Sequence, residues 1–153
     1  MPAPVVHIER FIAAPPEKVF RAWLDPDLIC RWMSPGSIKA VKAEVDERAG
    51  GHYRVWQEQD GVPGGGFDAD ILEIVPDRKL VFGWRFVGPE RMEAPAYESL
   101  LTISLEEAPG GTDLTLDHEK LDELYAAMPD VADMVETGWN MVLDLLPAAI
   151  AAG

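Results

Sequence analysis

Residues 13–33 read AAPPEKVFRAWLDPDLICRWM, two short segments with apolar faces, each opened by proline, in a chain that otherwise alternates like sheet. Val19, Phe20 and Trp23 share one face of a helix that Pro15 and Pro16 start, because proline is tolerated in a first turn whose N–H groups have no partner. Asp25-Pro26 restarts the chain as an N-cap followed by proline. Leu28, Ile29 and Trp32 form the apolar face of the second helix, which "MSPG" ends. In front of the pair, VVHIERFIA (5–13) places Val6, Ile8, Arg10 and Ile12 on one side and His7, Glu9 and Phe11 on the other, the period of a strand.

From Ser37 to about His118 the signals are all β. SIKAVKAEVDE, HYRVWQEQ, FDADILEIV, LVFGWRF, YESLLTISLEE and TDLTLDHE follow one another, and LVFGWRF sets Leu80, Phe82, Trp84 and Phe86 on one side. "RAGG", "DGVPGGG" (60–66), "PDRK", the loop "GPERMEAPA" and "APGG" separate them, and short connections between sequential strands predict an antiparallel meander. The last segment, PDVADMVETGWNMVLDLLPAAIAA, changes to helical period. Val131, Val135, Gly138, Val142 and Leu145 lie along one stripe flanked by Met134 and Met141, Asp130 is the predicted N-cap, and Pro147 predicts a kink or an early stop.

Composition narrows the function classes. The chain has 153 residues, 48% hydrophobic and 26% charged, which suits one domain spanning 1–153. The formal net charge of -14, with no basic cluster, argues against nucleic acid and anionic membranes as partners. Cys30 is the only cysteine, in keeping with a reducing compartment. "MPAPVVHIER" has neither a basic nor an apolar leader region, and no apolar run approaches the ~20 residues that span a bilayer, so a cytoplasmic location is expected.

One strand, two small helices, a six-strand meander and a long C-terminal helix make an α+β, helix-grip order with a curved antiparallel sheet of about seven strands. The pieces IERFIAAPPEKVFRAWLDPDLICRW, RAGGHYRVW followed by DG, LEIVPDRKLVFGW, GGTDLTLDH and GWNMVLDLL occur in order along essentially the whole chain. Together they resemble the activator-of-heat-shock-90-ATPase-like branch of the SRPBCC superfamily, which shares the fold of START lipid-binding domains and the birch-pollen allergen. The resemblance implies a bent sheet wrapped on the long helix, the two short helices closing one end, and a cavity between sheet and helix. Family members include ligand binders, cyclase-like enzymes and co-chaperone domains, so the fold alone does not choose among them.

The expected cavity walls are Phe82, Trp84, Leu101, Leu116, Met134 and Met141. Gly138, in a helix interior where glycine costs about 0.8–1 kcal/mol relative to alanine, either leaves space there or lets the helix approach the sheet. His118 shares the parity of Leu114 and Leu116 and points inward, as a core histidine or as a polar anchor, acid or base. His52, Arg54 and Trp56 share one strand face. Turned inward, Arg54 clamps a carboxylate and Trp56 stacks on a ring; turned outward, they are surface residues, and parity leaves both open. Glu98 is the second candidate base, against the alternative of a solvated strand carboxylate. "PGGGFDAD" is followed by a strand and not by the helix a phosphate loop needs. Three histidines without ligand spacing argue against a metal site, and no cofactor is implied.

These residues support a cytoplasmic small-molecule-binding protein that takes an apolar, aromatic or lipid-like ligand. The alternatives are a cyclase- or hydrolase-type enzyme using the same pocket with His118 or Glu98 as base, and a co-chaperone-like domain docking on the chaperone through its acidic surface. Homodimerisation through a sheet face or edge is compatible with each.

Overall fold

The computed structural model describes residues 5–34, 38–87, 98–127 and 135–152. Strand β1 (Val6–Ile12) leads into α1 (Pro16–Leu24) and α2 (Pro26–Trp32). Six strands follow: β2 (Ile38–Val45), β3 (His52–Gln59), β4 (Val62–Val75), β5 (Lys79–Val87), β6 (Ser99–Ala108) and β7 (Gly111–Glu119). A short helix, α3 (Asp122–Ala127), precedes the long α4 (Val135–Ala152).

The strands form one curled antiparallel sheet in the order β1-β7-β6-β5-β4-β3-β2. The meander pairs each strand with its successor, and β1 closes on β7, setting Val6 opposite His118 and Ile12 opposite Thr112. Tightness comes from the turns. Asp60 and Gly61 both have positive φ (53° and 80°), which suits a two-residue hairpin in the direction of sheet twist. The expected seven-residue turn is therefore only two residues long, and the "VPGGG" after it is already strand β4.

The helical pair forms as its caps predict. Asp25 accepts a hydrogen bond from the Asp27 backbone N–H at 2.9 Å, and Pro16 and Pro26 occupy the first turns. Val19, Trp23, Leu24, Ile29 and Trp32 are fully buried, and the pair packs on α4 while α2 also covers β2. Two side-chain bonds fix this plug. Trp32 Nε1–H donates to the Ala22 carbonyl at 2.9 Å, and the Tyr53 hydroxyl on β3 donates to the Trp23 carbonyl at 2.7 Å.

The long helix keeps Val135 and Val142 of its expected stripe and turns Leu145 and the flanking Met141 outward. Its buried stripe is Val135, Trp139, Val142, Leu143, Leu146, Ala149 and Ile150, whereas Met141 and Leu145 are exposed. Helix α4 also continues through Pro147 to Ala152 and does not stop early; proline removes one N–H, and neighbouring turns carry the helix on. The proposed N-cap Asp130, with Val131 and Met134, lies outside the described residues. At mid-helix, Arg10 of β1 holds α4 down: Nη1 donates to Asp144 Oδ1 at 2.6 Å and Nη2 to Asn140 Oδ1 at 2.8 Å.

Candidate functional site

The inward faces of β5, β6 and β7 carry Leu80, Phe82 and Trp84, then Ser99, Leu101 and Ile103, then Leu114, Leu116 and His118. Register sets Trp84 opposite Ser99 and Leu101 opposite His118. Ser99 thus lies diagonally across from His118 on the same face, within reach of its ring. Ser99 Oγ is 2.6 Å from His118 Nε2 and 3.0 Å from the Trp84 carbonyl oxygen. From α4, Trp139 Nε1–H donates to His118 Nδ1 at 3.1 Å.

These contacts fix the proton positions. An indole N–H can only donate, so His118 Nδ1 is an acceptor and carries no proton. In a neutral imidazole the proton is then on Nε2, which donates to Ser99 Oγ, and the hydroxyl proton turns to the Trp84 carbonyl. The chain runs one way: Trp139, His118, Ser99, Trp84. In this arrangement His118 does not take the Ser99 proton, so the pair is not an activated nucleophile of the serine–histidine kind. Burial pushes the imidazole down to about 4, and it stays neutral at neutral pH.

Around that chain stands a cage of aromatic rings. Trp139 packs against Trp84 (5.4 Å between centroids), Trp23 (6.0 Å), Phe67 (6.5 Å, stacked) and His118 (6.1 Å). Trp84 also meets Phe67 at 4.9 Å, Phe82 at 5.6 Å and Tyr53 at 5.9 Å. Beside Trp139, a Cβ placed on Gly138 would meet none of the described residues within 4 Å, so among them the glycine serves no close approach of helix to sheet.

Of the residues singled out in the sequence, the inward set is brought together: Phe82, Trp84, Leu101, Leu116 and His118 are all fully buried around one interior. Arg54 and Trp56 are not part of it. On β3 the buried residues are Tyr53 and Val55, so Arg54 and Trp56 point to the opposite face, as does His52. There Arg54 pairs with Asp68 at 3.4 Å and Trp56 lies under the Lys42 ammonium at 4.8 Å. Glu98 is exposed and bonded to Arg85 at 2.8 Å, in a surface cluster with Asp68 and Asp70. This removes it as an interior base. Met141 is exposed on α4 and lines no interior wall. Ser99, Trp139 and Phe67 belong to the site and were not singled out. Parity with Leu101 marks Ser99 as inward, and Trp139 fits the spacing of Val135, Val142 and Leu146.

Two open clefts, of about 890 and 780 Å³, lie at the far end of β7 from His118. Pro15, Pro16, Asp77, Arg78, Glu106 and Gly110 line the first, which is built from turns and exposed charges. No group of three or more potential metal ligands occurs among the described residues.

A half-barrel sheet closed by a helical plug and gripped against a long terminal helix, with an aromatic interior around one buried histidine, is the helix-grip class. Residues 13–151 match the family of activator of Hsp90 ATPase homolog 1-like proteins, and the chain belongs to that family, an SRPBCC-type fold. Protein CV1439 from Chromobacterium violaceum is 28% identical, with a TM-score of 0.75 over 95% of this chain and 96% of that one. CalU16 from Micromonospora echinospora is 27% identical, with a TM-score of 0.65 over 97% and 76% of the two chains. Ms6760 from Mycobacterium smegmatis shares the fold at 21% identity, with a TM-score of 0.77 over 97% and 91%. A search of curated proteins finds no match.

Proposed function

We propose that this protein binds a small apolar or aromatic molecule between the sheet and α4, in the cytoplasm. The observation that carries the reading is the aromatic cage around Trp139, which joins sheet, plug and long helix. A mostly apolar enclosure with few polar groups, each in a fixed orientation, is the usual character of a small-molecule site. Membership of a family of helix-grip domains supports the same reading. A single cysteine is in keeping with the compartment.

The polar chain supports binding over histidine-driven catalysis. Both ring nitrogens of His118 are engaged, and a base would have to release Trp139 or Ser99 first. Native mass spectrometry of gently purified protein, compared with the same sample denatured, tests the proposal. A released small molecule is the expected result. A crystal structure in which side chains fill the interior completely, with no mass released, overturns it.

A further inference from the structure

Five tryptophans occur in the chain. Trp32 and Trp139 donate their indole protons within the fold, to the Ala22 carbonyl and to His118. Trp23 Nε1 and Trp84 Nε1 are buried and have no hydrogen-bond partner, and they are the only buried side-chain nitrogen or oxygen atoms so left among the described residues. Both rings pack on Trp139 and so belong to the one aromatic cage at which the proposed ligand sits. Buried donors are nearly always paired, and two orphans in one cage call for an acceptor from outside the fold.

The rest of the interior says what that acceptor is attached to. The buried polar side chains among the described residues are Ser99, Thr112 and His118. Thr112 donates to the Ala14 carbonyl at the far end of β7, and Ser99 and His118 are engaged with each other. Among the described residues no fully buried cation faces the cage, so they offer no countercharge to an anionic ligand that would lose its hydration there. Resting on the interior-site reading above, we infer that the ligand is a neutral aromatic molecule bearing a carbonyl-type acceptor, held by the indole N–H of Trp84, with that of Trp23 as a second donor.

Two probes of one shape test this. Fluorenone carries a carbonyl where fluorene carries a methylene. Affinities for the full chain, labelled with 15N-tryptophan, are read by NMR together with the five indole resonances. Fluorenone is expected to bind about tenfold tighter than fluorene, the worth of roughly one hydrogen bond. It is also expected to move the Trp84 indole proton downfield where fluorene does not. Trp84→Phe should bring the ratio of fluorenone to fluorene affinity to about one, whatever it does to the affinity the two probes share. If that variant does not fold, the affinity ratio and the wild-type indole shifts decide alone. Equal affinities, or bound fluorenone with unmoved indole signals, overturn the donor assignment and leave the interior site standing. Binding of neither probe overturns this inference together with the reading it rests on.

Discussion

At the scale of single residues, His118 and His7 should titrate in opposite directions. Burial depresses His118 to about 4, below its unfolded value of 6.5. Between those pH values the unfolded chain binds the additional proton, so stability is complete above about pH 6.5 and falls as the pH drops towards 4. The full shift is worth about 3 kcal/mol. His7, on the outer face of β1, is raised by its hydrogen bond and charge pairing with Asp117; its contribution is present below 6.5 and is lost as the pH rises through its folded value. Histidine C2-proton titrations by NMR check both, and a midpoint for His118 near 6.5 would contradict its burial. Removing its partner is a second test. Ser99→Ala leaves the Nε2 proton and the Trp84 carbonyl without their bonds, a loss of about 1–3 kcal/mol in urea unfolding. A change under about 0.5 kcal/mol would show that the chain of bonds does not form.

Among the elements, glycines distinguish space from contact. Gly138→Ala should stabilise α4 by about 0.5–1 kcal/mol, since the methyl group meets none of the described residues and helix propensity improves. Gly111→Ala should destabilise strongly, because its Cβ would stand 2.1 Å from the Ile12 carbonyl oxygen, an atom fixed by the β1–β7 ladder. Thermal unfolding of the two variants should therefore move Tm in opposite directions, and a destabilising Gly138→Ala would place a neighbour where the described residues supply none. Sequence made these elements legible where local chemistry decides them: Asp25-Pro26 as a cap, alternation along β5 and β7. It failed where two apolar stripes compete. On α4 the expected stripe and the buried one share Val135 and Val142, and docking against Trp84 and His118 turns Trp139 and Leu146 inward where Gly138 and Leu145 were expected. Likewise β3 presents Tyr53 with Val55 on one face and Trp56 on the other. The Tyr53 hydroxyl bond to the Trp23 carbonyl, 30 residues away in sequence, helps to set which face turns in.

For the molecule as a whole, the site was legible as a sheet face and not as a network. His118 could be placed inward by parity, whereas its tautomer depends on Trp139 arriving from the far end of the chain. Charge acts at the same scale. With 27 acidic residues against 13 lysines and arginines, a formal excess of 14 negative charges stays uncompensated however the ions pair. The ion pairs that do form are mostly at exposed positions, where each contributes about 0–1 kcal/mol. The cluster of Arg85 with Asp68, Asp70 and Glu98 itself gathers three acids on one guanidinium. At about 10 mM salt the screening length is ~30 Å, long enough for uncompensated charges to repel across the fold, and at physiological salt it is ~8 Å. Repulsion therefore outweighs pairing, and Tm should rise as sodium chloride is raised from about 10 to 150 mM at pH 7.5, where His118 is neutral. A fall in Tm over that range would mean that the surface pairs, and chiefly the Arg85 cluster, contribute more than the excess charge removes. Arg85→Gln would then be the variant in which the fall disappears.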